Sequence, residues 1–173
     1  MTTKMDAMKA ILTRRSVREF KQGSIEREKI EQMLAAGMSA PSAHNEQPWC
    51  FLVVDDRDSL KKLAATGSHV EMAATAGGAI VVCGDLNLEL TPGSWVQDCS
   101  AATQNILLAA HALGLGAVWT HCHPDEVMQR EVASLFKLPD HVKPLAIVVM
   151  GEPAVEVAPK DNYLAERVHW NKW

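Results

Sequence analysis

No C-x-x-C pair occurs in the chain: Cys50, Cys83, Cys99 and Cys122 lie far apart, three of them in apolar settings. That usage reads as buried free thiols of a reducing compartment. No run of about 20 uninterrupted apolar residues is present, so no membrane helix is expected. The stretch Met1-Thr2-Thr3-Lys4-Met5-Asp6 lacks the apolar core of a signal peptide, and the expected location is the cytoplasm. A basic excess is absent too: the formal net charge is -4, which disfavours nucleic acid as a partner. There is no internal repeat and no low-complexity segment. Ser42 has no G-x-S-x-G context, and no histidine is spaced to pair readably with a Ser or Cys. Gly114-Leu115-Gly116 follows a helical pattern and leads into a strand, the reverse of a dinucleotide-binding turn. His121-Cys122-His123 offers two ligands on one strand face without a nearby partner pair, so no metal is expected.

What is present suits one globular domain over residues 1–173: 47% apolar and 22% charged residues can bury a core without disulfides. Met8, Ile11 and Leu12 sit at helical spacing between Asp6 and Thr13. A second helix, capped by Ser24 and carrying Glu26 and Glu28 in its first turn, buries Ile30, Met33, Leu34 and Gly37 and stops before Pro41. Residues 50–54 read as a strand, and 59–65 as a helix capped by Asp58. Gly67 to Gly78 is ambiguous, with Val70, Met72 and an alanine-rich tail favouring a further helix. Ala79 to Cys83 is a buried strand. From Ser94 to Leu113 the pattern is apolar on most faces, which places that helix at the centre or at a subunit interface. A strand at 117–122, a helix opened by Pro124 and running to Phe136, and a strand at 145–150 follow. The elements do not alternate as regular βα units, so the class is α+β. Residues 153–173 have no core period, yet carry Tyr163, Trp170 and Trp173. An arm of that kind is expected to pack on a partner subunit, giving a dimer.

Two stretches carry chemistry. Arg14, Arg15 and Arg18 flank Ser16 within five residues, and guanidinium forks with a hydroxyl make a cradle for one small anion. The plain alternatives are a solvated basic corner or a salt-bridge patch between subunits. Residues 40–48, with two prolines, Ser42 and Asn45, form a stiff, polar, exposed loop. An anion cradle and a polar loop without a catalytic side chain suit a cofactor that does the chemistry itself.

Taken in order, RRSVREF, APSAHNEQPW, HALGLGAVW and VMGEP resemble the FMN-dependent nitroreductase family, from about Ile11 to Lys160. The resemblance implies an antiparallel-rich mixed sheet flanked by helices, in an intertwined homodimer with two FMN sites at its interface. It implies that Arg14, Arg15 and Ser16 hold the phosphate and ribityl chain, with Arg18 near N1 and the C2 carbonyl, where a cation stabilises the reduced ring. Pro41, Ser42, Ala43 and Asn45 would come from the other subunit, and the backbone of Trp119, Thr120 and His121 would approach the edge near N5. Lys160 would return to the phosphate. Asn162 stands where many relatives have a second basic residue, so either Arg167 takes its place at the phosphate or FMN is held less tightly. His44 is the side chain expected to touch substrate. The implied activity is ping-pong hydride transfer from NAD(P)H to a nitroaromatic, quinone or similar electron-poor acceptor. The rival readings are a specialised branch performing dehalogenation or flavin cleavage, or a flavin-binding, redox-sensing module with little turnover.

Overall fold

The computed structural model describes residues 5–173, so the first four residues of the stretch tested for a signal peptide lie outside the described residues. Four antiparallel strands, β1 (Trp49–Val54), β2 (Gly78–Asp85), β3 (Gly116–His121) and β4 (Val142–Gly151), form one sheet in the order β1-β2-β4-β3. The expected mixed character reduces to a single parallel bridge, Ser16 to Ala117. Five α-helices are described: α1 (Ala7–Thr13), α2 (Arg27–Met38), α3 (Arg57–Ala64), α4 (Trp95–Ala112) and α5 (Glu126–Phe136).

The central strands are apolar on both faces because both faces are covered. Ile80, Val82, Ala146, Val148 and Met150 point toward α2 and α4, whereas Ala79, Val81, Ile147 and Val149 point toward the layer of α3 and α5. This is the period-2 alternation of a strand, with both sides dry. Strand β4 begins at Val142 rather than Leu145 because Pro144, which has no N–H to give the ladder, sits opposite Cys83 where the register shifts.

Helix α4 occupies the middle of its layer, burying Trp95, Cys99, Ala102, Ile106, Leu107 and Ala110 against α2 and the sheet. It ends as Gly114 takes φ +77 and Leu115 donates its N–H to the Ala110 carbonyl at 2.9 Å. Only glycine adopts that backbone without penalty, and the turn sends the chain directly into β3.

Several local expectations change. Helix α3 is capped by Asp56, whose carboxylate accepts from the Ser59 N–H at 2.9 Å; Asp58 lies inside the first turn. Helix α2 starts at Arg27 with Glu26, not Ser24, at its N-cap, because Ile25 packs into the core beside Gly77 and Gly78 and keeps the preceding backbone extended. Between Gly67 and the start of β2 at Gly78 the helical element is only a 3₁₀ turn, Glu71–Ala74, pinned by buried Val70, Ala73 and Ala76. Helix α5 begins at Glu126, capped by Asp125 rather than opened by Pro124. On α1 the buried residue is Ala10, while Met8, Ile11 and Leu12 stay exposed because the helix meets the rest of the chain chiefly at α4.

Gly116 sets the distance between β3 and the segment after α1: a Cβ there would lie 2.8 Å from Val17 Cγ1 and 2.9 Å from its Cβ. Val17 is stiff at χ1 and cannot swing away. Gly116→Ala is expected to destabilise the fold by about 1 to 3 kcal/mol, read by urea unfolding, whereas Gly23→Ala, where a Cβ meets nothing, should leave the midpoint nearly unchanged.

Candidate functional site

Helix α1 stops at Arg14, whose ψ of 135 takes the chain into extended geometry. The segment then lies against the edge of β3: Val17 donates its N–H to the Ala117 carbonyl at 3.0 Å, and Phe20 bridges Pro153. Val17 and Phe20 are buried, which leaves Ser16 and Arg18 exposed. Extended backbone thus sorts the cluster, anchoring its apolar members and presenting its polar ones.

The arginines have different duties. Arg15 donates from Nη2 to the Lys160 carbonyl at 2.8 Å, from Nε to Ala158 at 3.3 Å, and from Nη1 to Leu12 and Arg14. It clamps the C-terminal arm onto the end of α1. Arg14 is half-buried and makes no ion pair among the described residues. Burial, then the like charge of Arg15, hold its guanidinium below the usual range, though an arginine remains charged. Arg14 lines a cavity of about 630 Å³ with Arg15, Lys160, Asn162 and Tyr163. The structure therefore brings Arg14, Arg15 and Lys160 to one wall. Burial, followed by the charges of Arg14, Arg15 and Lys9, also depresses His111, whose Nε2 lies 2.8 Å from Thr13 Oγ1.

A second cleft, of about 280 Å³, has Arg18, Trp119, Thr120 and His121 along it, together with Ser68, His69 and Met72. The last three were missed because the 67–78 region has no period; their signal was a polar pair between Gly67 and the buried Val70. Thr120 Oγ1 donates to the Ile147 carbonyl at 3.2 Å, and His121 is exposed, its ring 6.1 Å from that of His69.

Pro41, Ser42, Ala43, His44 and Asn45 line neither cleft of their own chain. They form an exposed turn in which His44, Asn45 and Gln47 have positive φ. Ser42 Oγ accepts from the Gln47 N–H at 3.0 Å, and Asp98 accepts from the Ala43 N–H at 3.0 Å. Arg167 sits in an exposed 3₁₀ turn, Ala165–Arg167, and lines neither cleft.

The three buried thiols offer little chemistry, whereas half-buried Cys50 is lowered, first by a hydrogen bond from Cys83. Burial pushes Cys99 and Cys122 up to about 12, and Cys83 is also raised. Cys122, although it lies between two histidines, is thus an inert core thiol. No group of three or more His, Cys, Asp or Glu converges as a metal site among the described residues.

The sequence profile of the Nitroreductase family matches residues 11–84 and 91–152. A protein of Methanothermobacter thermautotrophicus, provisionally named NADH dehydrogenase/NAD(P)H nitroreductase, is 45% identical over 171 residues, covering 99% of this chain and 90% of its own. A crystal structure from Bacteroides thetaiotaomicron with the same provisional name superposes with a TM-score of 0.93 at 43% identity, covering 99% of this chain and 100% of that one. A provisional nitroreductase from Desulfovibrio desulfuricans, solved in complex with FMN, has a TM-score of 0.83 at 31% identity and covers 99% of both chains.

Because Arg14 and Arg15 both lower His111, that imidazole reports on whether an anion has reached them. The fold loses stability as pH falls from the unfolded value down through the depressed folded value, since in that window only the unfolded state takes the proton readily. In an NMR titration His111 should titrate below the ordinary histidine value of about 6.5. Saturating sulfate should move it part of the way back, and Arg14→Met should remove most of the sulfate response.

Proposed function

The chain belongs to the nitroreductase family, and on that footing we propose that it is an FMN-dependent NAD(P)H oxidoreductase acting on nitroaromatics, quinones or similar electron-poor acceptors. The observation that carries the proposal is Arg14, a half-buried guanidinium without an ion pair among the described residues, sharing a cavity with Arg15 and Lys160. A buried cation of this kind needs an anion, and a phosphate matches it with charge-assisted hydrogen bonds.

In this reading Arg14 and Lys160 hold the FMN phosphate, Ser16 meets the ribityl chain, and Arg15 fixes the arm that carries Lys160. Arg167, which lines neither cleft of its own chain, is assigned to the phosphate of the partner subunit's FMN. Arg18 and the β3 backbone at Trp119, Thr120 and His121 flank the ring system. Bound FMN supplies the two-electron hydride chemistry. The protein binds, orients and sets the electrostatics; no side chain acts as an obligatory acid or base. Donor and acceptor alternate over one face in a ping-pong cycle, and His44 meets the acceptor from its exposed turn.

A second subunit completes the site. Pro41, Ser42, Ala43 and Asn45 are positioned for the FMN of the partner subunit. Tyr163, Trp170 and Trp173 are 72%, 82% and 101% exposed, and Met8, Ile11 and Leu12 present further apolar surface. Covering each such side chain stabilises association by about 1.5 to 3 kcal/mol, which favours the arm of residues 153–173 packing on the other protomer of a homodimer. Four free thiols favour a reducing compartment, and we place the protein in the cytoplasm. No helix of the described residues is long and apolar enough to cross a membrane.

Purified protein should elute as a dimer by size exclusion with light scattering and carry a flavin absorption band. Anaerobic NADH or NADPH should bleach the band, and a quinone or nitroaromatic added afterwards should restore it, with parallel lines in double-reciprocal initial-rate plots. A protein that takes up no added FMN would overturn the reading. Arg18→Ala should lower the midpoint potential of the bound flavin by on the order of 20 mV, the two-electron equivalent of about 1 kcal/mol of lost charge stabilisation. An unchanged potential in spectroelectrochemical titration would remove Arg18 from that role.

A further inference from the structure

The turn at residues 42–47 is held in a backbone that its own residues disfavour. His44 (φ 49), Asn45 (φ 56) and Gln47 (φ 47) all lie in the left-handed region, and none is glycine. Asn tolerates that region; His and Gln do so only where surrounding bonds over-determine the conformation. Besides the Gln47 N–H to Ser42 Oγ bond within the turn, the bonds that tie it to the rest of the chain come from two acids. Glu46 accepts from the Leu90 N–H at 2.7 Å through Oε2 and from the Ser94 hydroxyl at 2.9 Å through Oε1, tying the turn to the loop before α4. Asp98, in the first turn of α4, accepts the Ala43 N–H through Oδ1.

The other oxygen of Asp98 presents a contradiction that a proton resolves. Asp98 is 5% exposed, and its Oδ2 has no donor among the described residues. The Glu46 carboxyl is the side chain within hydrogen-bond reach of the Asp98 carboxyl, an acceptor group beside an acceptor group. Two ionised carboxylates in that contact repel, and a buried one lacks solvation as well. We propose that Asp98 is neutral in the folded protein, donates from Oδ2–H to the Glu46 carboxylate, and by this shared proton acts as the positioning residue of the turn that presents Ser42, Ala43 and Asn45 to FMN. The proposal rests on the functional reading above for what the turn touches, but not for the proton.

The surroundings assign the proton to Asp98. Burial raises Asp98 most, with Glu46 and Glu89 adding to it against the Ala43 N–H, whereas Glu46 is lowered first by the Leu90 N–H. Among the described residues no Lys or Arg forms an ion pair with Asp98. The other titratable groups nearby are Cys99, pushed up to about 12 and so neutral, His44 in the turn itself, and His123, whose ring lies 5.2 Å from that of Trp95. The sign follows directly. The stabilisation is present while Asp98 keeps its proton and is lost as pH rises through its upward-shifted value.

The test compares wild type, Asp98→Asn and Asp98→Ala by FMN affinity from the ordinary aspartate value of about 4 upward as far as the protein stays folded, and by infrared difference spectroscopy without flavin. Asparagine reproduces both bonds, accepting from Ala43 and donating to Glu46, but cannot titrate. Wild type should lose affinity about 10-fold across the alkaline limb, Asp98→Asn should keep the affinity that wild type shows before that loss throughout, and Asp98→Ala should be weak at every pH. The wild-type spectrum should contain a protonated-carboxyl band that Asp98→Asn lacks. An Asp98→Asn variant as weak as Asp98→Ala, a wild-type profile parallel to that of Asp98→Asn, or identical infrared bands would each overturn the proposal. Wild type that binds no FMN would defeat the functional reading, and the infrared comparison would still decide the proton.

Discussion

The hydrogen bond from the Val17 N–H to the Ala117 carbonyl joins the segment after α1 to the edge of the sheet, and both clefts depend on it. Upstream of the joint, the chain must leave α1 at Arg14, which places that guanidinium under the C-terminal arm. Downstream, alternation turns Arg18 outward along β3 beside His121. The joint requires a strand without a side chain at Gly116, since a Cβ there would overlap Val17. The Gly114 turn then links the same place to the end of α4, so the central helix, the edge strand and the arginine segment hold a single relative position. A site built from one extended segment, one strand and one arm acquires rigidity this way without a large loop.

Much of this was legible in the amino-acid pattern. The strands and α4 announce themselves as apolar runs because the sheet is covered on both faces and α4 meets neighbours on most of its circumference. Boundaries were less legible. Asp56 and Asp58 are equally good caps by residue type, and only backbone geometry selects the first. Ser24 lost its capping role to the packing of Ile25, a tertiary effect with no local signal. The arginine cluster was visible, but the division of labour within it was not: Arg15 spends its donors on carbonyls at positions 158 and 160, contacts more than 140 residues distant in the chain. His69 entered the second cleft from a stretch without periodicity, and Asp98 was hidden within a helix whose apolar neighbours drew the attention.

Arg14 and Asp98 solve opposite problems with the same physics. Each is an ionisable side chain moved out of water, and each faces a like charge: Arg15 for the first, Glu46 for the second. An aspartate can answer by keeping its proton. Arginine has no such exit in any ordinary pH range, so its cost stays in the protein until an anion arrives. In the two readings proposed above, the acid serves a permanent structural contact, and the guanidinium serves a ligand.

The same distinction explains why the chain needs borrowed chemistry. Its buried thiols are held well above neutrality, so they are not thiolates, and His111 is depressed first by burial and then by the charges of Arg14, Arg15 and Lys9. Such thiols are not prepared as nucleophiles near pH 7. What the fold does prepare is fixed positive charge, from Arg14, Arg18 and Lys160, along two clefts of a chain whose net charge is -4. Charge concentrated against the overall balance attracts an anionic group and stabilises electrons delivered to it. In the function proposed above, the protein's own contribution to the reaction is that field, together with the turn that a second copy of the chain would bring to meet it.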